Sequence, residues 1–213
     1  MANITVKYLI GIVAEILQDE STDSTERGWT EETLVDYYNL TARRIVSLSP
    51  SANQITKAVK LASGTKQSIP SGGITFLNAI RNMGIDGETP GLAITPTLRS
   101  VITSFDLNWS TAVAVVAIYN IWPSTEDKRT FYNYPPSDGT GYIQIEYSAV
   151  PPIIVWEDGG DWEDALVGVT DEFINALIKG MLALTYNKDT DYPGNAERSA
   201  TYEASFLNTL SAV

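Results

Sequence analysis

In Gln54-Ile55-Thr56-Lys57-Ala58-Val59-Lys60-Leu61, the residues Ile55, Lys57, Val59 and Leu61 alternate with polar or small neighbours at the two-residue spacing of a strand. Upstream the apolar residues recur at helical spacing, and they do so again after about Gly159. The change of period at Ser51 therefore decides the fold. It predicts an α+β protein in which 1–50 and 160–213 form a helical bundle and 51–159 is a β-rich insertion.

Working back from Ser51, Ser49-Pro50 stops a helix, because the residue before proline is pushed out of the helical region. Thr30 caps that helix, and Glu31 and Glu32 place negative charge at the positive end of its dipole. Leu34, Tyr37, Tyr38, Ile45 and Leu48 carry the period, with Arg43 and Arg44 towards the carboxyl end. Asp19 to Gly28 reads as a polar loop. Before it, Leu9, Ile12, Val13, Ile16 and Leu17 predict a first amphipathic helix.

Working forward, Gly64 turns the chain and 67–70 reads as a short returning strand. Phe76, Leu77 and Ile80 share one side of a brief helix after Gly72-Gly73, with Gly84 as its cap. Val113 to Tyr119 is apolar and β-branched, which predicts a buried strand. Arg129 to Tyr134 and Tyr142 to Tyr147 alternate, and Pro135-Pro136 with Ser137-Asp138-Gly139 predicts a tight turn between them. Pro151-Pro152 closes the region. Thr170-Asp171-Glu172 then starts a helix bearing Phe173, Ile174, Leu177, Ile178, Met181 and Leu184. Asn187 to Tyr192 reads as a loop. Pro193 opens a last helix on which Tyr202, Phe206 and Leu210 recur every fourth residue.

Composition bounds the chemistry. Apolar residues are 44% of 213 and charged residues 19%, the make-up of a globular chain. The 14 Lys and Arg against 26 Asp and Glu leave a net charge of −12, which repels a phosphate backbone. There is no cysteine and no histidine, which removes disulfides, thiolate nucleophiles and the commonest general base. Without cysteine an intracellular origin is expected, and a soluble protein because no run approaches the roughly 20 apolar residues of a membrane span.

The acidic run Glu157, Asp158, Asp161, Glu163 and Asp164, flanked by Trp156 and Trp162, has the composition of a divalent-cation or acid–base site. Its spacing matches no calcium loop, so a solvated linker is the plainer reading. Gly64-Thr65-Lys66 lacks the first glycine of a phosphate loop. Arg43 and Arg44 suit either DNA or an acidic neighbour, or simply the helix end.

One family resemblance emerges from motifs taken in order. Val59-Lys60-Leu61-Ala62-Ser63-Gly64-Thr65-Lys66-Gln67-Ser68-Ile69-Pro70 is similar to the signature of phage head-to-tail adaptors, and Arg81-Asn82-Met83-Gly84 follows as it does there. Phe131-Tyr132-Asn133-Tyr134-Pro135-Pro136 and Tyr147-Ser148-Ala149-Val150-Pro151 resemble the family's later strands. Asp189, Asn195, Tyr202 and Phe206 fit its final helix pair, so the resemblance runs from about Thr30 to Leu210.

The resemblance to the adaptors (connector or neck proteins) of short-tailed phages implies a virion structural protein with no enzyme activity, no cofactor and no metal. It implies a ring of twelve copies beneath the portal, assembled in the host cytoplasm and sited in the neck between capsid and tail. The ring extends the DNA channel, lets DNA pass without specific binding, and docks nozzle or fibre proteins of the tail; no membrane is involved. Contact with the portal or a neighbouring subunit is expected at Tyr202, Phe206 and Leu210. The alternatives are a carboxylate-dependent glycan-cleaving module built on the acidic run, or a carbohydrate-binding module displaying Trp109, Trp122, Trp156 and Trp162.

Overall fold

The computed structural model describes residues 4–18, 28–188 and 193–212. In chain order its elements are α1 (Val6–Leu17), α2 (Glu31–Leu48), β1 (Gln54–Lys60), β2 (Gly64–Ser68), β3 (Gly73–Asn82) and β4 (Thr95–Pro96). There follow α3 (Arg99–Phe105), β5 (Asn120–Pro123), β6 (Thr130–Ser137), β7 (Tyr142–Ala149), α4 (Ile174–Lys188) and α5 (Asn195–Ser211). The chain is α+β and divides into two units, Met1–Asn53 with Pro151–Val213, and Gln54–Val150. The expected loops at Asp19 to Gly28 and Asn187 to Tyr192 fall mostly outside the described residues.

In the helical unit, Thr30 caps α2 by accepting the Thr33 N–H at 3.2 Å, and Thr5 caps α1 by accepting the Tyr8 N–H at 3.2 Å. The buried stripe of α1 is Val6, Leu9, Ile10 and Val13, turned from the expected one, so that Ile16 is exposed. On α2, Leu48 is likewise exposed and Tyr37 only half-buried, while Val35, Ala42 and Val46 go inside. α4 packs against α1, α2 and α5, and seven of its residues from Ala176 to Thr185 are buried. A helix enclosed on that many sides has a weak apolar stripe in sequence. Pro193 stands before the Gly194 cap of α5, one step outside the helix start expected of it.

Residues 151–159, read with the β-rich stretch, belong instead to the helical unit. Asn39 on α2 holds them: its amide donates to Ile154 O at 2.7 Å and accepts the Ile154 N–H at 2.9 Å. Nearby, the Tyr38 hydroxyl accepts the Gly168 N–H at 2.9 Å.

The β-rich unit holds a three-stranded sheet, β1-β7-β3, and a four-stranded sheet, β2-β6-β5-β4. One core takes residues from both, including Ile143 and Ile145 on one sheet and Ile121 and Phe131 on the other. Phe76 and Phe131 stack at 4.5 Å. The two apparent hairpins are not hairpins. β1 pairs with β7 while β2 pairs with β6, and β6 runs on through Pro135-Pro136 to Ser137.

The brief helix expected around Phe76 is strand β3. Its register with β7 shifts three times, and its buried residues fall every third position, at Gly73, Phe76, Ala79 and Asn82. Each bulge adds a residue and resets which side faces the core, so a bulged strand imitates a helical period. Gly84 is accordingly no helix cap; it sits at φ 65° past the strand, where its carbonyl accepts the Tyr142 N–H at 2.8 Å. The stretch 113–119 is not a buried strand either. Only Val115 makes a bridge, to Ser137, and Val113 is 84% exposed.

Charge is segregated between the units. Within the β-rich unit Lys57, Lys60, Lys66, Arg81, Arg99, Lys128 and Arg129 balance Asp86, Glu88, Asp106, Glu126, Asp127, Asp138 and Glu146 one for one. The whole net charge of −12 therefore lies on the segments of the helical unit.

The loop after β3 offers a pH prediction. The Asp86 carboxylate accepts the Thr89 hydroxyl at 2.6 Å and the Thr89 and Glu88 N–H groups at 3.0 Å each, which lowers its pKa from 3.8 to about 2. A depressed carboxylate pKa contributes its stabilisation above the unfolded value near 4 and loses it as pH falls towards 2. The Thr89 amide resonance is expected to titrate with a midpoint near 2 and to lose that titration in Asp86→Asn. A midpoint near 4 would show that the loop does not hold the carboxylate.

Candidate functional site

Two of the motifs that carry the resemblance hold clasps of the backbone. Leu61 and Ile69 enter the core, and Gly64, at φ 101°, makes the turn between them. Gln67, almost fully buried, closes that turn: its Oε1 accepts the Ala62 N–H at 2.7 Å, and its Nε2 donates to Ala62 O at 2.8 Å and to Gly64 O at 3.2 Å. A strand, β2, follows Gly64 directly, so Gly64-Thr65-Lys66 has no helix amino terminus at which to hold a phosphate. Asn82 performs the same service at longer range. Its Nδ2 donates to Leu92 O at 3.0 Å and to Ile118 O at 2.9 Å, and its Oδ1 accepts the Ile118 N–H at 3.0 Å. A primary amide is the one neutral side chain able to donate twice and accept at once in so small a space.

The acidic run is dispersed along a solvent-facing loop. Glu157, Asp158, Asp161 and Asp164 are exposed, and Glu163 pairs with Lys7 at 2.6 Å. Trp162 is buried below them, its indole N–H donating to Glu157 O at 2.9 Å. Among the described residues no group of three or more Asp or Glu side chains is placed to hold a metal ion. No helix among them is long and apolar enough to cross a membrane.

Arg44 is exposed and engages α5 of its own unit. Its guanidinium forms a two-pronged ion pair with Glu203 of α5 and lies 4.7 Å above the Phe206 ring. The Arg44 hydrogen bonds hold the Glu203 carboxyl below its ordinary range. This surface pair adds little by itself; its cation–π partner and its position between α2 and α5 make it a clip. Arg43 is exposed.

The three expected contact residues of α5 divide. Phe206 is fully buried and Leu210 nearly so, both within their own unit. Tyr202 is half-buried, stacks on Tyr186 at 5.7 Å with rings 8° apart, and lines an open groove of about 480 Å³ with Glu197, Arg198, Thr201 and Ser205. A partner meeting α5 in this conformation would find that groove and not Phe206.

The four tryptophans also divide between the units. Trp156 and Trp162 lie in the helical unit, whereas Trp109 and Trp122 meet in the β-rich one. Trp122 and Tyr132 are cross-strand partners with rings 5.9 Å apart, Trp109 stands edge-on to both, and Arg99 reaches over Trp109 at 5.7 Å. These four side chains bound a small cavity of about 110 Å³. Sequence reasoning missed Arg99 and the helix α3 that carries it, because seven residues are too few for a periodic signal. The same region holds a run of exposed apolar residues, Leu92, Leu98, Val101, Phe105, Leu107 and Val113.

A family model described as SU10 adaptor protein matches residues 4–213. The match begins well upstream of Thr30, where the motif resemblance starts. No curated protein matches the chain.

Proposed function

This chain belongs to the SU10 adaptor protein family, and from that premise we propose that it is the head-to-tail adaptor of a short-tailed phage virion, a ring subunit beneath the portal. The observation that carries the reading is a family match over nearly the whole chain, at residues 4–213. The motif residues support it by their roles. Gln67 and Asn82 bond backbone groups of their own unit, as befits a protein whose work is done by surfaces.

In this reading twelve copies extend the DNA channel, with the helices as a bundle forming the ring body and the β-rich unit offering surface to nozzle or fibre proteins. The concentration of the −12 charge on the helical segments suits a channel wall along which DNA slides without adhering. Assembly takes place in the host cytoplasm, and the virion neck is the final location. The portal contact falls on the accessible groove of α5 around Tyr202, since engaging Phe206 and Leu210 would require α5 to leave α4.

Electron microscopy of the protein mixed with its cognate portal ring tests this. A collar of added density is expected on the portal. Thr201→Arg, an exposed change in the α5 groove, is expected to weaken the collar with the fold intact. No association at any concentration would overturn the adaptor reading. An undiminished collar in Thr201→Arg would move the portal contact off α5.

A further inference from the structure

The cavity between Arg99, Trp109, Trp122 and Tyr132 is built like the centre of a protein interface. Tryptophan, tyrosine and arginine are the residue types that dominate binding energy when clustered in a desolvated pocket. Trp122 is 5% exposed, Trp109 and Tyr132 are half-buried, and Arg99 is exposed. Guanidinium stacking on an indole leaves the N–H fork free at its edge for a bidentate carboxylate. Arg99 has no carboxylate partner among the described residues. The space, about 110 Å³, equals three or four waters at roughly 30 Å³ each, enough for one short acidic side chain. On the same short helix and at its cap, Leu98, Val101 and Phe105 are exposed.

We propose that this pocket receives a carboxylate from the loop 157–161 of a second copy of the chain. Charge complementarity selects the source. The β-rich unit is neutral, and Arg99, like its other basic residues, makes no ion pair among the described residues, while the helical unit carries the excess acid. Within that unit, Glu157, Asp158 and Asp161 are exposed and make no ion pair among the described residues. Their loop is flanked by exposed Ile153 and Val155, as Arg99 is by exposed Leu98 and Val101. The two surfaces are different patches of the chain, so the contact is head-to-tail and propagates from copy to copy, as a closed ring requires. The inference rests on the adaptor reading only for what brings the copies side by side.

The wild-type collar on the portal is measured first; its absence would defeat the adaptor reading and, with it, this contact. Given a collar, Arg99→Glu is expected to reduce its occupancy at least about tenfold, since reversing one member of a desolvated charge pair acts strongly on association. Circular dichroism is expected to be unchanged, because Arg99 is exposed. Combining Arg99→Glu with lysine at Glu157, Asp158 and Asp161 is expected to restore the collar. Independently, carbodiimide coupling of assembled Arg99→Lys should join position 99 to loop 157–161 of another copy. A full collar in Arg99→Glu, or coupling only to the portal or to another surface, would overturn the proposal while leaving the adaptor reading in place.

Discussion

Replacing Gly180 with valine is expected to destabilise the helical unit by about 3 kcal/mol or more and to lower its melting temperature by roughly 10 °C. A Cβ at position 180 would lie 2.5 Å from Thr41 Cγ2 and 3.1 and 3.2 Å from Phe206 Cδ2 and Cε2. These neighbours belong to α2 and α5, so the glycine sits where three helices meet. Neither neighbour can retreat easily: Thr41 is buried on α2, and Phe206 is fully buried beneath the Arg44 guanidinium. Alanine brings two opposed effects. It gains about 1 kcal/mol of helix propensity over glycine and loses about 1–3 kcal/mol to overpacking, so a smaller net loss is expected. Denaturant titrations of wild type, Gly180→Ala and Gly180→Val followed by circular dichroism give the order. An alanine variant more stable by the full propensity gain would mean that the three helices do not approach so closely.

In Asn82→Ala the β-rich unit is expected to lose about 3–5 kcal/mol, because a buried group stripped of its partner costs about 1–3 kcal/mol. The Ile118 N–H and C=O both depend on the Asn82 amide, and Ile118 itself is fully buried. Leu92 O keeps a second donor in the Asn82 backbone N–H at 2.9 Å, so its loss is partial. Asn82→Asp sharpens the test. An ionised carboxylate still accepts the Ile118 N–H but faces two carbonyl oxygens to which it cannot donate. Its protonated form is therefore favoured in the folded state, and the folded pKa lies above the unfolded one. Stability is then greatest below the unfolded pKa and falls as pH rises through the folded pKa. Chemical denaturation of both variants between pH 3 and 8 reads this directly. A pH-independent Asn82→Asp variant, or an Asn82→Ala variant within 1 kcal/mol of wild type, would show that water replaces the amide.

The two substitutions act on different units, which makes them useful together. Gly180→Val is expected to move an unfolding transition reported by helical signal, and Asn82→Ala one reported by the β-rich core. Portal binding by each at low temperature would then separate the contributions of the helical and β-rich surfaces to assembly.

Much of the helical reading needed only local information. Thr30 caps α2 because its side chain serves an N–H three residues away, and Glu31 and Glu32 complement the dipole of the same turn. β7 alternates because it keeps one side to the core along most of its length, whereas β1, with the same alternation in sequence, buries no residue fully and leaves Lys57 exposed. β3 misleads because its three register shifts rotate the core-facing side within one strand, and only the pairing with β7 reveals them. The apolar stretch 113–119 misleads in the opposite way: its composition is that of a core strand, yet nothing in its own unit covers Val113. Tyr202, Phe206 and Leu210 share a helical spacing that does not say which of them the preceding helix covers.

By itself, then, the sequence determined the α+β division, the absence of thiol and imidazole chemistry, the acidic balance, and the ordered motifs by which the family is recognised. Those are properties of single residues and short windows, where side-chain type and period act locally. Tertiary structure alone decided that β1 and β2 enter different sheets, that Gln67 and Asn82 clasp backbone rather than ligand, and that Arg99 is gathered with Trp109, Trp122 and Tyr132 around one cavity. Each of these depends on which distant segments meet, and strand pairing and side-chain packing across tens of residues leave no periodic trace in the segments themselves.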